Sequence, residues 1–125
     1  MKNYRELTKA ELQLMNLLWD RGEAFVNDLL ADMPDPKPAY NTVSTVMRVL
    51  VTKGFVAYHE LGKSHQYYPL VSREEYLDSF ISSVKKSFFR DSFVSLVSFF
   101  VKKEKLTSSE IADLIKILNE NKKDS

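Results

Sequence analysis

Apolar side chains recur with a helical period near the start of the chain. Leu12, Met15 and Leu18 stand three residues apart, a spacing that puts them on one face of a helix. Thr8 and Glu11 precede them and have the form of a capping box, in which each side chain accepts a hydrogen bond from the other residue's backbone N–H. The pattern predicts a helix that begins near residue 8 and buries its apolar face.

A second helical pattern lies in the segment 40–55, YNTVSTVMRVLVTKGF. Val43, Met47 and Leu50 form its apolar face, although Val and Thr are poor helix formers. The opposite face carries short polar side chains around one cation: Asn41, Thr45, Arg48 and Thr52. Such a short outer face suits a helix that another surface approaches closely.

A hairpin is predicted after this helix. Two β-prone runs, FVAYHEL at 55–61 and SHQYYPLV at 64–71, flank a Gly-Lys turn, which is typical of a β-hairpin. Earlier, a β-prone stretch at 24–26 leads to Asn27, which we expect to be the N-cap of a brief helix. The order helix, short strand, helix, helix and hairpin is that of a winged helix-turn-helix.

The C-terminal part of the chain predicts three more helices. Capping boxes at 72–75 and 107–110 open the first and the last of them,, and an apolar helix from about residue 91 to 101 lies between. The predicted fold class is mostly α. A winged-helix domain with a small β-wing covers residues 1–72, and a three-helix dimerisation domain covers residues 73–125.

Six phenylalanines fall between residues 80 and 100, which is more aromatic surface than a small helical segment buries by itself. We expect these helices to form the subunit interface of a homodimer. The residues assigned to that interface are Phe80, Val84, Phe88, Phe93, Leu96, Phe100, Ile111, Leu114 and Leu118. The alternative is that the same side chains pack against the winged helix within one monomer.

Composition and charge narrow the class of protein. The chain of 125 residues has no Cys, which excludes disulfides, thiolate nucleophiles and Cys-based metal sites. The apolar run at 92–101 is shorter than the ~20 residues of a membrane-spanning helix, and we expect a soluble, cytoplasmic protein. The net charge is +1, but residues 37–73 carry five Lys or Arg against Glu60 alone. The positive charge therefore lies in the segment with the unusual helix.

A short outer face without acidic residues suits a helix that enters the DNA major groove, which is ~12 Å wide. Arg binds guanine through two hydrogen bonds, Asn pairs with adenine, and a Thr methyl contacts the thymine methyl. Polar groups at a helix start suit phosphate contacts, and those in a wing suit contact with a flanking phosphate or the minor groove. The candidate DNA-binding residues are Tyr40, Asn41, Thr42, Thr45, Arg48, Lys63 and His65. The competing interpretation is a winged helix that docks on another protein, in keeping with the near-neutral total charge.

Candidate catalytic and metal-binding groups are few. The two histidines, His59 and His65, both lie in the predicted hairpin, and with Glu60 they make a weak metal site in the absence of Cys. The sequence offers neither a Ser-His-Asp arrangement nor a Gly-rich phosphate loop,. We therefore expect a protein that is not an enzyme and has no catalytic residues, cofactor, metal or small-molecule substrate.

The chain resembles the BlaI/MecI/CopY family of bacterial repressors, also called the penicillinase-repressor family. Four segments carry the resemblance in the same order: LTKAELQLMNLLW, YNTVSTVMRVLVTKGFV, GKSHQYYPLVSREEY and LTSSEIADLIKIL. The resemblance implies a homodimer with an N-terminal winged helix and a C-terminal dimerisation part, bound to a palindromic operator with TACA/TGTA-like half-sites. It also implies a wing at Lys63 to His65 and groove-reading positions at Asn41, Thr42, Thr45 and Arg48.

Two features depart from the family pattern. The copper-responsive branch ends in a Cys-rich metal-binding segment, and the absence of Cys here excludes that mode of induction. The β-lactam branch is inactivated when a membrane metalloprotease cuts an Asn-Phe bond, but neither Phe99 nor Phe100 follows an Asn. If a membrane sensor protease acts on this chain, we expect the cut in the candidate cleavage region Ser98, Phe99 and Phe100.

Overall fold

The structure, a computed structural model, describes residues 3–123 of the chain. Its elements are α1 (Lys9–Arg21), α2 (Val26–Asp32), α3 (Tyr40–Thr52), β1 (Val56–Leu61), β2 (Ser64–Pro69), α4 (Arg73–Phe88), α5 (Phe93–Lys103) and α6 (Ser108–Glu120). The predicted fold class, mostly α with a winged helix and a small β-wing, is confirmed. Two compact units divide at the bond between Ile81 and Ser82, and we call them unit 1 and unit 2. Within the described range, every helix is too short or too polar to span a bilayer.

Unit 1 has its core between α1, α2, α3 and the hairpin. Met15, Leu18, Leu29, Met47 and Leu50 are each 0% exposed. This burial explains why α3 is helical despite its Val and Thr residues, because tertiary packing of an apolar face outweighs intrinsic helix propensity. The apolar face predicted for α3 is confirmed.

The wing is the antiparallel hairpin formed by β1 and β2. Its register pairs Val56 with Pro69 at the base and Glu60 with His65 near the tip. Gly62 makes the turn with a φ of +63°, a conformation that glycine adopts without the steric penalty of a side chain. The predicted hairpin and its Gly-Lys turn are therefore confirmed.

Ala24 adds one further strand position to the wing. Its N–H donates to the carbonyl oxygen of Tyr67 at 2.9 Å, and its carbonyl oxygen accepts from the N–H of Tyr67 at 2.8 Å. The β-prone stretch at 24–26 is therefore a single bridge rather than a longer strand, because α2 already begins at Val26.

The start of α2 differs from the prediction. The N-cap is Phe25, and Asn27 lies inside the first turn, so the assignment of Asn27 as the N-cap is wrong. The Asp28 carboxylate accepts a hydrogen bond from the backbone N–H of Phe25 at 2.9 Å. This bond satisfies an unpaired donor at the helix start and lets the helix begin two residues earlier than expected.

All three predicted capping boxes are present. The N–H of Thr8 donates to Glu11 Oε1 at 2.9 Å, and the N–H of Glu11 donates to Thr8 Oγ1 at 3.2 Å. The boxes at 72–75 and 107–110 contain the same reciprocal bonds, at 3.0 to 3.1 Å. These bonds satisfy backbone donors at the starts of α1, α4 and α6 and so determine where the helices begin.

Unit 1 continues into the first half of α4. The Tyr76 hydroxyl accepts a hydrogen bond from the N–H of Leu7 at 2.8 Å, and the Ser79 hydroxyl accepts one from the N–H of Tyr4 at 3.0 Å. These bonds attach α4 to the segment that precedes α1. The predicted domain boundary lies at the start of α4, whereas the compact unit reaches Ile81.

Unit 2 contains the second half of α4 together with α5 and α6. Among its described residues, Leu96 is the one buried apolar side chain, at 4% exposed. The rings of Phe89 and Phe99 pack with centroids 5.7 Å apart. Most of the large apolar side chains of α5 and α6 are exposed in a single copy.

The turn between α4 and α5 contains Arg90 and Asp91, which have φ values of +51° and +61°.

Candidate nucleic-acid interface

The outward face of α3 carries the predicted groove-reading residues. The exposed side chains on this face are Asn41, Thr45, Arg48 and Thr52. Val43, on the opposite face, is 1% exposed. Since α3 contains no acidic residue, its polar face presents hydrogen-bonding groups and one positive charge to solvent.

A chain of hydrogen bonds runs along this face. The Thr45 hydroxyl donates to the carbonyl oxygen of Asn41 at 2.8 Å, and Arg48 Nη2 donates to the same hydroxyl oxygen at 3.3 Å. The Thr52 hydroxyl donates to the carbonyl oxygen of Arg48 at 3.2 Å. Both threonine hydroxyls therefore use their single proton on the helix backbone.

The wing and the start of α3 meet in a cleft of about 240 Å³. Tyr40, the first residue of α3, and His65, on β2, both line this cleft with Asn27 and Ser64. Tyr40 is 50% exposed, and Thr42 in the same helical turn is also exposed. Asn27 and Ser64 are outside the predicted set, because only the folded chain brings α2 and β2 beside Tyr40.

Two aromatic rings stack across the strands of the wing. The rings of Tyr58 and His65 have centroids 4.1 Å apart and planes inclined by 9°. His65 Nε2 lies 3.8 Å from Glu60 Oε1 on the neighbouring strand, and Lys63 is exposed at the turn. Tyr58 is absent from the predicted set. It lies two residues before Glu60 on β1, and side chains two apart on a strand share one face. Since His65 pairs with Glu60, the strand pattern already indicated that Tyr58 lies near His65,.

Two of the five cations in residues 37–73 are paired with acidic side chains. Lys53 Nζ donates to both carboxylate oxygens of Glu11, at 2.8 and 2.9 Å. Arg73 Nη2 lies 2.8 Å from Asp20 Oδ1. The positive charge that this segment offers to a ligand is therefore smaller than its sequence indicates.

The Glu11 carboxyl group is buried in its charged form. Burial by itself raises the pKa of Glu11, but the hydrogen bonds from Lys53 and the Thr8 backbone, with the charge of Lys53, outweigh it. The pKa of Glu11 is consequently lowered,. Glu11 thus serves both as part of the α1 cap and as the partner that joins α1 to the end of α3.

An apolar groove of about 870 Å³ lies between α5 and α6 in unit 2, and we call it the α5–α6 groove. Four predicted dimerisation residues line it: Phe93, Ile111, Leu114 and Leu118. Their exposed fractions range from 41% to 64%. Val94, Val97 and Ile115 also line the groove and were not predicted, although they continue the same apolar faces. A contiguous apolar surface of this kind is typical of an interaction site.

Four more predicted dimerisation residues line a second depression of about 480 Å³ in unit 2: Val84, Phe88, Leu96 and Phe100. Phe88 is 78% exposed, whereas Leu96 is buried and packs inside the unit. Phe80 belongs to unit 1, where its ring lies 6.4 Å from that of Tyr76. The predicted set therefore occupies three separate places.

The candidate cleavage region lies in the middle of α5. Ser98 lines the α5–α6 groove, while Phe99 and Phe100 are 45% and 53% exposed. The rings of these two phenylalanines have centroids 5.7 Å apart. The region is thus helical and partly exposed.

The histidines of the wing belong to stacked pairs. His59 stacks on Tyr68 with ring centroids 4.7 Å apart, as His65 does on Tyr58. In the part of the chain that the structure describes, no group of three or more His, Asp or Glu side chains is arranged to hold a metal ion. Packing thus accounts for the position of both imidazole rings.

Comparison with known proteins identifies the family. Residues 7–120 match the family model described as penicillinase repressor. The chain is 25% identical over 123 residues to the penicillinase repressor of Bacillus licheniformis, covering 98% of this chain and 96% of that protein. It is 31% identical over 115 residues to the methicillin resistance regulatory protein MecI of Staphylococcus aureus (strain N315), covering 91% of this chain and 94% of that protein.

A solved structure has the same fold as part of this chain. The solution structure of the Bacillus licheniformis BlaI monomeric form in complex with the blaP half-operator aligns with a TM-score of 0.51 and 23% identity. The alignment covers 61% of this chain and 94% of that chain. The winged-helix fold agrees with this neighbour, and the family match spans nearly the whole sequence. The chain therefore belongs to the penicillinase-repressor, or BlaI/MecI/CopY, family of DNA-binding transcriptional repressors.

Proposed function

We propose that this repressor is a homodimer that binds a palindromic operator with TACA/TGTA-like half-sites. The observation that carries the proposal is the exposed polar face of α3, which has no acidic residue. The cleft that Tyr40 and His65 share brings the start of this helix next to the wing. In such an arrangement α3 can enter a groove of a DNA duplex while the wing contacts the sugar-phosphate backbone.

Base reading is assigned to the exposed face of α3. Arg48 suits the one G·C pair of a TACA/TGTA half-site, because a guanidinium binds guanine O6 and N7 together. Asn41 suits an adenine in the same half-site, through its N6 and N7 atoms. Thr45 lies between these two side chains along the helix, and the hydrogen bonds of its hydroxyl link it to both residues.

Phosphate contacts are assigned to the start of α3 and to the wing. Tyr40 and Thr42 present hydroxyl groups in the first helical turn, and both are exposed. Lys63 carries a positive charge at the tip of the wing. His65 lies on β2, where its ring stacks on that of Tyr58. Contacts of this kind fix the position of a protein on the duplex and carry little sequence information.

Dimerisation is assigned to unit 2. The α5–α6 groove exposes several large apolar side chains in one copy, and covering such a side chain contributes ~1.5–3 kcal/mol before entropy losses. A twofold dimer presents two identical reading helices, which is the symmetry of a palindromic operator. Joining the two helices also raises the affinity for DNA, because the second half-site is bound intramolecularly.

Control of repression is assigned to the same unit. Cleavage by a membrane sensor protease within Ser98–Phe100 divides α5 and separates α6 from the DNA-binding unit. Another signal that opens the α5–α6 groove has the same effect on the dimer. The proposed role is that of a cytoplasmic regulator and requires no catalysis, cofactor or small-molecule substrate.

The test is operator binding by the Arg48→Ala variant, measured by fluorescence anisotropy on a labelled palindromic duplex. The loss of a base contact weakens operator binding by ~1–3 kcal/mol and reduces discrimination against a scrambled duplex. Lys86→Ala is the matched control, because Lys86 is an exposed cation at the end of α4 in unit 2. Unchanged operator affinity and discrimination in Arg48→Ala would contradict the base-reading role of Arg48.

A further inference from the structure

We infer that Thr45 is a positioning residue for Arg48 and thereby sets the specificity of the guanine contact. The inference rests on the proposed function and refines one part of it. The direct alternative is that the Thr45 methyl group contacts a thymine methyl in the groove. The two roles depend on different atoms of the same side chain, so they can be separated experimentally.

The hydroxyl group of Thr45 has its hydrogen-bonding capacity directed within the helix. It donates its proton to the carbonyl oxygen of Asn41 at 2.8 Å, one helical turn back. It accepts a hydrogen bond from Arg48 Nη2 at 3.3 Å, one turn ahead. Since a hydroxyl has a single proton, this arrangement leaves Thr45 unable to donate to a base edge while its bond to Asn41 persists.

The hydrogen bond from Arg48 Nη2 to Thr45 restrains the longest side chain on the outward face of α3. Arg48 is exposed, and a free arginine side chain samples many rotamers in water. One N–H is anchored to Thr45, which holds the guanidinium over the preceding turn and leaves most of its five donors for a ligand. Ordering the side chain before binding reduces the entropy lost in the complex.

The guanidinium is also within electrostatic reach of the wing. Burial raises the pKa of Tyr67, with a further rise from Tyr40, and the positive charge of Arg48 opposes that rise. The anchored side chain is exposed on the same face of α3 as Asn41 and Thr45, which is the interface proposed for DNA.

The experiment compares two substitutions that each remove one part of the Thr45 side chain. Thr45→Val keeps the branched shape and removes the hydroxyl, whereas Thr45→Ser keeps the hydroxyl and removes the methyl group. Each variant is measured on the palindromic duplex and on a scrambled duplex. Two further operators carry 7-deazaguanine for the guanine of the half-site, which removes N7, or uracil for thymine, which removes the methyl group.

For a positioning role, Thr45→Val weakens operator binding by about three- to tenfold, the value of one hydrogen bond. Thr45→Val also reduces the penalty caused by 7-deazaguanine and leaves binding to the scrambled duplex unchanged. Thr45→Ser retains wild-type affinity. In the Arg48→Ala background, Thr45→Val has no further effect, which a merely structural role of Thr45 would not produce. Unchanged thermal unfolding of both variants shows that the exposed substitution leaves the fold intact.

The opposite pattern overturns the inference. If Thr45→Ser weakens binding, Thr45→Val does not, and uracil abolishes the difference, then Thr45 contacts thymine directly. Additive effects of Thr45→Val and Arg48→Ala also overturn it, because residues that act as a unit are not additive. Failure of the wild-type protein to prefer the operator over the scrambled duplex instead overturns the proposed function, and the inference with it.

Discussion

Lys53 Nζ lies 2.8 and 2.9 Å from the two carboxylate oxygens of Glu11. The side chains of Lys53 and Glu11 are 19% and 6% exposed, respectively. Glu11 also accepts the N–H of Thr8 at the start of α1, while Lys53 follows the last turn of α3. A single carboxylate therefore caps one helix and ties it to the end of the proposed reading helix.

Removal of the negative charge of Glu11 should destabilise the winged helix. In Glu11→Gln, Lys53 keeps its charge in a mostly buried position without its acidic partner. We expect the free energy of unfolding at pH 7 to fall by ~2–3 kcal/mol, somewhat less than for a fully buried pair because Lys53 is partly exposed. Chemical denaturation followed by circular dichroism measures the change.

Glu110→Gln provides the matched control for this substitution. Glu110 occupies the same position in the capping box of α6, with its hydrogen bonds to Thr107, and it is exposed. Its substitution should cost less than ~1 kcal/mol, because Gln can also complete a capping box. Equal effects of the two substitutions would show that the bond to Lys53 contributes nothing beyond the cap.

The stability conferred by Glu11 should disappear at acidic pH. The pKa of Glu11 is lowered in the folded protein, so the folded state favours the charged carboxylate relative to an unfolded chain with a pKa of ~4.3. Its contribution is present above that unfolded value and is lost as the pH falls through the lowered folded value. The difference in unfolding free energy between the wild-type protein and Glu11→Gln should therefore narrow from pH 5 downward. A difference that widens on acidification would contradict the assignment.

The salt dependence of operator binding should be modest and should depend on Lys63. Lys53 and Arg73 are paired with acidic side chains of the same chain, which leaves fewer cations to displace counterions from DNA. Lys63→Ala should weaken binding to all duplexes and reduce the slope of log K against log salt by ~1 for each bound subunit. Lys103→Ala, at the end of α5, is the control and should leave the slope unchanged. If Lys63→Ala gave the same slope as Lys103→Ala and the wild-type protein, the wing would lie away from the phosphates.

A charge in the α5–α6 groove should separate the dimer. Phe93 is 61% exposed in one copy, so Phe93→Asp should change the stability of a single copy little. In a twofold interface the substitution occurs twice, and the dimer dissociation constant should rise at least about a hundredfold. Sedimentation equilibrium measures this constant, and operator affinity should fall with it.

Leu70→Asp tests whether that effect is specific to the groove. Leu70 is 55% exposed, follows β2 in unit 1, and is not among the residues that line the groove. This variant should remain a dimer at the concentrations where Phe93→Asp dissociates. A dimeric Phe93→Asp protein with full operator affinity would rule out the groove as the subunit interface.

Local signals account for most of the agreement between the sequence and the structure. The Thr8 and Glu11 capping box, the apolar period of α3 and the Gly-Lys turn of the wing depend on residues within one helical turn or one hairpin. Such features are specified by short-range hydrogen bonds and by the burial of one face. They were therefore predictable from spacing alone.

Contacts between distant residues account for the differences. Glu11 and Lys53 are separated by 42 positions in the chain, and neither residue is unusual in its local context. The extension of unit 1 into α4 depends on the bond between Tyr76 and Leu7, 69 positions apart. Only the folded chain brings such groups together, so the paired state of Lys53 and the role of α4 were not predictable from spacing.

The most direct test of the account is the binding of the wild-type protein to a labelled palindromic TACA/TGTA duplex. Fluorescence anisotropy is measured beside a scrambled duplex at low and moderate salt. The account predicts tight binding to the palindrome that persists at moderate salt while binding to the scrambled duplex is lost. Equal and weak binding to both duplexes, without salt dependence, would contradict it and indicate that the winged helix docks on another protein.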